Sequence, residues 1–217
     1  MHTRLAILLL LIWSTAVLAA ESSKDGPATI EATKIDWKTC QDSAAIDAFL
    51  REVSPFYTAM ARFVEFEGGY KFEDRVDLAA GKWNAASRTI ELHKDLRGAH
   101  RASIIAFEMT NAYQQKLHTE VDSKAAGGAI ATETEFALLH ELIEYDGLRL
   151  HRTVLEEIEK HLGRLPGDFF FTCNPKPKAV KEYQLPLVTD YLKHMKASGH
   201  TAHYYPWFRH QQKQGGK

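Results

Sequence analysis

The sequence predicts a helix-rich α+β domain, a small hairpin or sheet packed on several helices, and three patterns carry that expectation. Residues 132–162 form one long amphipathic stretch with Phe136, Leu139, Ile143, Leu150, Val154, Ile158 and Leu162 along one stripe. Residues 81–92 place turn-forming residues between two short β-capable runs, as in a hairpin. Several shorter segments between these repeat apolar residues at helical spacing.

Taken in order, residues 1–20 read as a secretory signal. Arg4 precedes the apolar run Leu5 to Trp13, and Ala16 to Ala20 supplies small residues for cleavage after Ala19 or Ala20. The run is shorter than the ~20 apolar residues that a spanning helix needs. Residues 21–29 read as a flexible leader, residues 30–210 as one globular domain, and residues 211–217 as a disordered tail. The expected location is the periplasm or the cell exterior, with no membrane span after cleavage. Cys40 and Cys173 are the only cysteines. In an oxidising compartment an even pair predicts one disulfide.

Ala32 to Trp37 suits a short strand. Asp42 or Ser43 can cap a helix bearing Ile46, Phe49, Leu50 and Val53. Pro55 restarts a helix that ends at Gly68-Gly69. Thr89, Ile90 and Leu92 suggest a strand near a sheet edge. Arg101 to Leu117 has helical periodicity, and residues 125–129 read as a mobile loop. Thr132 with Glu135 fits a capping box that opens the long helix. Residues 168–185 look irregular, Leu187 to Lys196 reads as a last helix, and the tail from His200 to His210 mixes histidine with aromatic residues.

Composition excludes several functions. With 27 basic and 28 acidic residues, nothing supports nucleic-acid binding. There is no Gly-x-Ser-x-Gly elbow and no glycine-rich phosphate loop with its lysine.

The order strand, loop, helix at residues 88–114 resembles the core of zincin metallopeptidases. That family places an edge strand before a helix bearing His-Glu-x-x-His, whose histidines bind zinc while the glutamate activates water. The matching pentapeptide here is Phe107-Glu108-Met109-Thr110-Asn111, so only the glutamate survives. Phenylalanine cannot ligate a metal, and an asparagine amide oxygen is a poor zinc ligand. The resemblance implies Glu108 as the catalytic position and a third ligand from the following helix, where Glu133, Glu135, Glu141 and Glu144 are candidates.

On the long helix, His140, Glu144 and His151 fall within about 40° of one another at ~100° per residue, and Glu133 joins that line while Glu141 lies off it. Two imidazoles and two carboxylates are competent ligands. His140 and Glu144 at i and i+4 can share one ion, whereas His151 needs another. The leading expectation is an exported, non-catalytic, zincin-like domain that binds a protein or envelope partner without a cofactor. One alternative is a hydrolase using zinc or another divalent metal on Glu108, His140, Glu144 and His151. The other is an immunity or inhibitor protein.

Overall fold

Helix starts and stops in the chain are set by capping side chains and by glycines in the left-handed region. The computed structural model describes residues 35–170 and 176–215, all within the unit Thr33–Lys217. The expected signal peptide, leader and Cys173 lie outside the described residues.

Asp42 accepts from the amides of Ala44 and Ala45 at 2.9 and 3.0 Å and opens α1, Ser43–Val53. Ser54 caps α2, Pro55–Phe66, where Pro55 fits a first-turn position that needs no N–H donor. The side chain of Ser54 also donates to Glu157, which ties this corner to a distant helix.

Three strands follow: β1, Lys71–Arg75; β2, Gly81–Asn84; and β3, Thr89–His93. The sheet order is β1-β3-β2, with β3 parallel to β1 and antiparallel to β2. The β2–β3 hairpin matches the sequence reading, but β3 is the central strand rather than an edge. Thr89, Ile90, Glu91 and Leu92 are all buried because a strand lies on either side. β1 is polar and largely exposed, which gives it no apolar alternation to read.

The helix α3 runs Gly98–Tyr113, a bend at Gln114 starts α4, Gln115–Ala126, and α5 spans Glu133–Leu162. Thr132 accepts from the Glu135 amide at 3.1 Å, as the capping box predicts. Gly163, at φ 75°, ends α5 after 30 residues. α6, Val188–Ser198, stops at Gly199, and a 3-10 turn at His200–His203 leads into α7, Tyr204–Gly215. Residues 211–215 are therefore helical rather than a disordered tail. The described residues 35–39 form a turn rather than a strand. Cys40 has a free thiol, so the expected disulfide with Cys173 is not formed in the structure. No helix among the described residues is long and apolar enough to cross a membrane.

Two hydrophobic cores result. One joins α1, α2, β3 and α3 to the C-terminal half of α5 through Val154, Leu155 and Ile158. The other joins α4 and α7 to its N-terminal half through Phe136, Ala137 and Ile143. Residues 144–147 of α5 lie between them. There Gly147 lets α3 approach closely, since a Cβ would stand 3.0 Å from Gln114 Oε1 and 3.2 Å from Thr110 Oγ1.

Gly98 fixes where α3 begins. Its φ is 48°, its amide donates to Cys40 O at 2.7 Å, and a Cβ would meet Trp37 O at 2.1 Å. Gly98→Ala is expected to lower stability by more than about 2 kcal/mol, because strain and a backbone clash act together. Urea unfolding of the two proteins checks this, and an unchanged midpoint would refute it.

Candidate functional site

Polar groups concentrate at the seam between the two cores. Glu141 and Glu144, three residues apart on α5, are neighbours on one helix surface. Gly199 stops α6 in the left-handed region and thereby swings His200 back onto them.

Glu141 is almost fully buried and is surrounded by donors. Its Oε1 lies 3.0 Å from His200 Nδ1 and accepts from Thr201 Oγ1 at 2.9 Å, while its Oε2 accepts from the Tyr191 hydroxyl at 3.2 Å. Glu144 Oε1 accepts from the Tyr204 hydroxyl, and Oε2 lies 3.7 Å from His200 Nε2. One ligand-competent atom from each of Glu141, Glu144 and His200 lies within 4.8 Å of the others. Two carboxylates and an imidazole are a donor set that suits zinc or manganese.

The electrostatics follow from burial. Desolvation pushes the Glu144 carboxyl above its ordinary range, and the Glu141 charge adds to this, against the pull of His200 and Tyr204. The Glu141 hydrogen bond raises His200, with both carboxylate charges helping and burial opposing.

Glu108 reaches the same seam from α3. Its Oε2 accepts from the Trp83 amide of β2 at 2.8 Å and from Asn111 Nδ2 at 2.9 Å. Burial raises its pKa to about 7, and the Glu144 charge pushes the same way, while those two hydrogen bonds oppose it. Asn111 thus supports Glu108, and its own buried Oδ1 has no hydrogen-bond partner. Phe107 packs edge-on to His151 with ring centroids 5.8 Å apart.

A cleft of about 950 Å³ opens beside these groups. Glu144 and His200 form one part of its wall, with Phe107, Leu148, Tyr191 and Met195 as apolar lining. A smaller hollow of about 450 Å³ near Gly163 has none of the cluster residues in its wall.

No family model, curated protein or solved structure matches the chain. The site is read from its own geometry, and that geometry corrects the ligand set expected from the sequence. Of His140, Glu144 and His151, only Glu144 joins the cluster. His151 Nε2 faces Ser103 Oγ at 3.2 Å inside the larger core, and burial holds its imidazolium down to about 4. Since Ser103 donates to Phe169 O at 2.6 Å, its oxygen accepts from His151. His140 turns its nitrogens toward α4, where His118 Nδ1 lies 2.7 Å from its Nδ1. Glu133 pairs with Arg209 at 3.0 Å on the surface, and Glu135 Oε2 accepts from the Ala131 amide. Of the expected zincin-like site, only Glu108 stands near a cluster that could hold a metal, and the residues of that cluster are Glu141, Glu144 and His200.

The sequence reading grouped His200 with the aromatic tail and set Glu141 off the line. The i,i+3 pair of Glu141 and Glu144 was the visible signal for the second. His200 meets Glu141 across 59 residues, and only the glycine stop before it hinted at a turn.

The raised Glu108 pKa has a stability consequence. Its folded value, about 7, exceeds the ordinary 4.5, so the folded state holds more protons than the unfolded between these values. Stability contributed by the protonated form is therefore complete below pH 4.5 and is lost as pH rises through 7. The shift corresponds to about 3 kcal/mol. Glu108→Gln keeps an oxygen for the Trp83 amide and should raise stability at pH 8 while changing little at pH 4.5. Chemical denaturation at both values checks this, and an equal effect at the two would contradict it.

Proposed function

We propose that the protein is a divalent-metal-dependent hydrolase acting on a ligand held in the Glu144–His200 cleft. The observation that supports this best is the clustering of Glu141, Glu144 and His200 within 4.8 Å of one another, with Glu144 and His200 in the cleft wall. A bound divalent ion there would supply a Lewis acid to a substrate oxygen. Glu141, Glu144 and His200 would hold it, and Thr201, Tyr191 and Tyr204 orient the carboxylates.

Glu108 is the acid–base group in this reading. With a pKa near 7 it exchanges a proton readily at neutral pH, which is what a general base and its return step require. Asn111 and the Trp83 amide hold Oε2, which leaves Oε1 to take the proton from an attacking water. The apolar wall from Phe107, Leu148 and Met195 limits water around the substrate.

A second reading keeps the cleft but not the chemistry. The carboxylates of Glu141 and Glu144 already have donors in Tyr191, Thr201, Tyr204 and His200, and Phe107 and Asn111 replace the zincin histidines. A binding module needs no ion at such a saturated cluster.

Metal titration separates the two. Chelator-dialysed protein should take up zinc or manganese in calorimetry, and Glu141→Gln with Glu144→Gln should weaken that uptake at least about tenfold. Affinity should also rise with pH, because the raised His200 must lose a proton to become a ligand. Uptake by the wild-type protein that the double substitution leaves unchanged refutes the cluster as the site, and no uptake at all supports the binding module.

A further inference from the structure

We propose that His118 and His140 form a second metal site, built for a late first-row ion such as zinc or copper, with Asp122 as the positioning carboxylate behind His140. This inference does not rest on the cleft reading. It starts from two imidazoles placed edge to edge. Their Nδ1 atoms are 2.7 Å apart, their ring centroids 4.9 Å apart, and their planes within 13° of parallel. Those three values together put the rings side by side rather than one over the other, so the two nitrogens face each other in plane.

The far side of His140 decides its tautomer. Its Nε2 stands 3.4 Å from Asp122 Oδ1, and both atoms are buried without a hydrogen bond. A carboxylate oxygen can only accept, so the proton belongs on Nε2 and the Nδ1 lone pair points at His118. A carboxylate behind a histidine whose other nitrogen is free is the arrangement that orients metal-binding histidines. The position between the two nitrogens is thus open to a shared proton or to a metal ion.

Surroundings fit the second occupant. His140 is fully buried, with Tyr204 and Trp207 rings at 4.8 and 4.7 Å and Phe136 edge-on at 4.4 Å. This shell excludes water and strengthens any charge–dipole attraction inside it. Zinc on the line between the two lone pairs, at about 2.0–2.1 Å from each nitrogen, needs the pair about 4.1 Å apart, so the rings must part by about 1.4 Å. His118 is the partner able to move, because it lies on α4 and, unlike His140, is not completely buried. It also gives an ion its route from solvent. Although His140 and Glu141 are consecutive, one faces α4 and the other faces α6 and the turn after it, so the two sites are separate.

The test uses the purified protein and zinc chloride, followed by long-range proton–nitrogen spectra of the histidine side chains. Zinc is expected to shift the Nδ1 signals of His118 and His140, and magnesium is not. Glu141→Gln with Glu144→Gln should keep this equivalent, whereas His118→Asn should weaken it at least 100-fold. Asp122→Asn should weaken it about 10–100-fold and remove the preference for a proton on His140 Nε2. Unmoved His118 and His140 signals under zinc would overturn the proposal, whatever the cleft binds. Failure of the cleft reading would instead leave these shifts intact while the double glutamine protein binds as many equivalents as wild type.

Discussion

Three carboxyl groups, Glu108, Glu141 and Glu144, share one buried seam, and the rest of the structure is arranged around compensating them. An ionised carboxylate taken out of water is costly unless it is hydrogen-bonded or paired. Glu108 meets this by holding its proton up to about pH 7 and by accepting from β2 and Asn111. Glu141 and Glu144 meet it with donors from the C-terminal segment, Tyr191, His200, Thr201 and Tyr204. The last quarter of the chain is thereby fastened to α5 by polar contacts as much as by Phe208 and Tyr204 in the smaller core. The seam lies where α5 passes from one core to the other, since residues 144–147 belong to neither cluster.

The same constraint links stability to pH and to metal. At low pH, Glu108 is neutral and His200 protonated, and the cluster is balanced. As pH rises, both lose protons, and like charges accumulate in a low-dielectric place. A divalent cation would neutralise them at the pH where repulsion is greatest, and stabilisation by binding follows mass action. In the proposed reading, instability without metal and affinity for it would be two results of one charge distribution.

Much of the framework was legible in the chain. Thr132 and Glu135 announced α5, and the turn-forming residues within 81–92 announced the β2–β3 hairpin. These signals are local, because caps and turns depend on residues within four positions of one another. The central place of β3 was not legible, since its second neighbour β1 is polar and gives no alternation. Nor was α7 beyond His210, where Gln211 to Gln214 look like a solvated tail yet Gln212 donates to Ala125 O. The candidate site was half legible. Glu108 came from the zincin resemblance and Glu144 from helical geometry, but His200 reaches Glu144 through a tertiary turn, and His140 and His151 face His118 and Ser103 instead. Helical phase says which residues share a line, not which neighbour each will face.

The central claim is that Glu141, Glu144 and His200 form one coordination sphere rather than a hydrogen-bonded clamp. A crystal grown at pH 8 and soaked in manganese, measured for anomalous scattering, tests it most directly. The account predicts a peak about 2.0–2.3 Å from an oxygen of each glutamate and a nitrogen of His200. A soaked crystal with no peak there, and with His200 still hydrogen-bonded to Glu141, would contradict it.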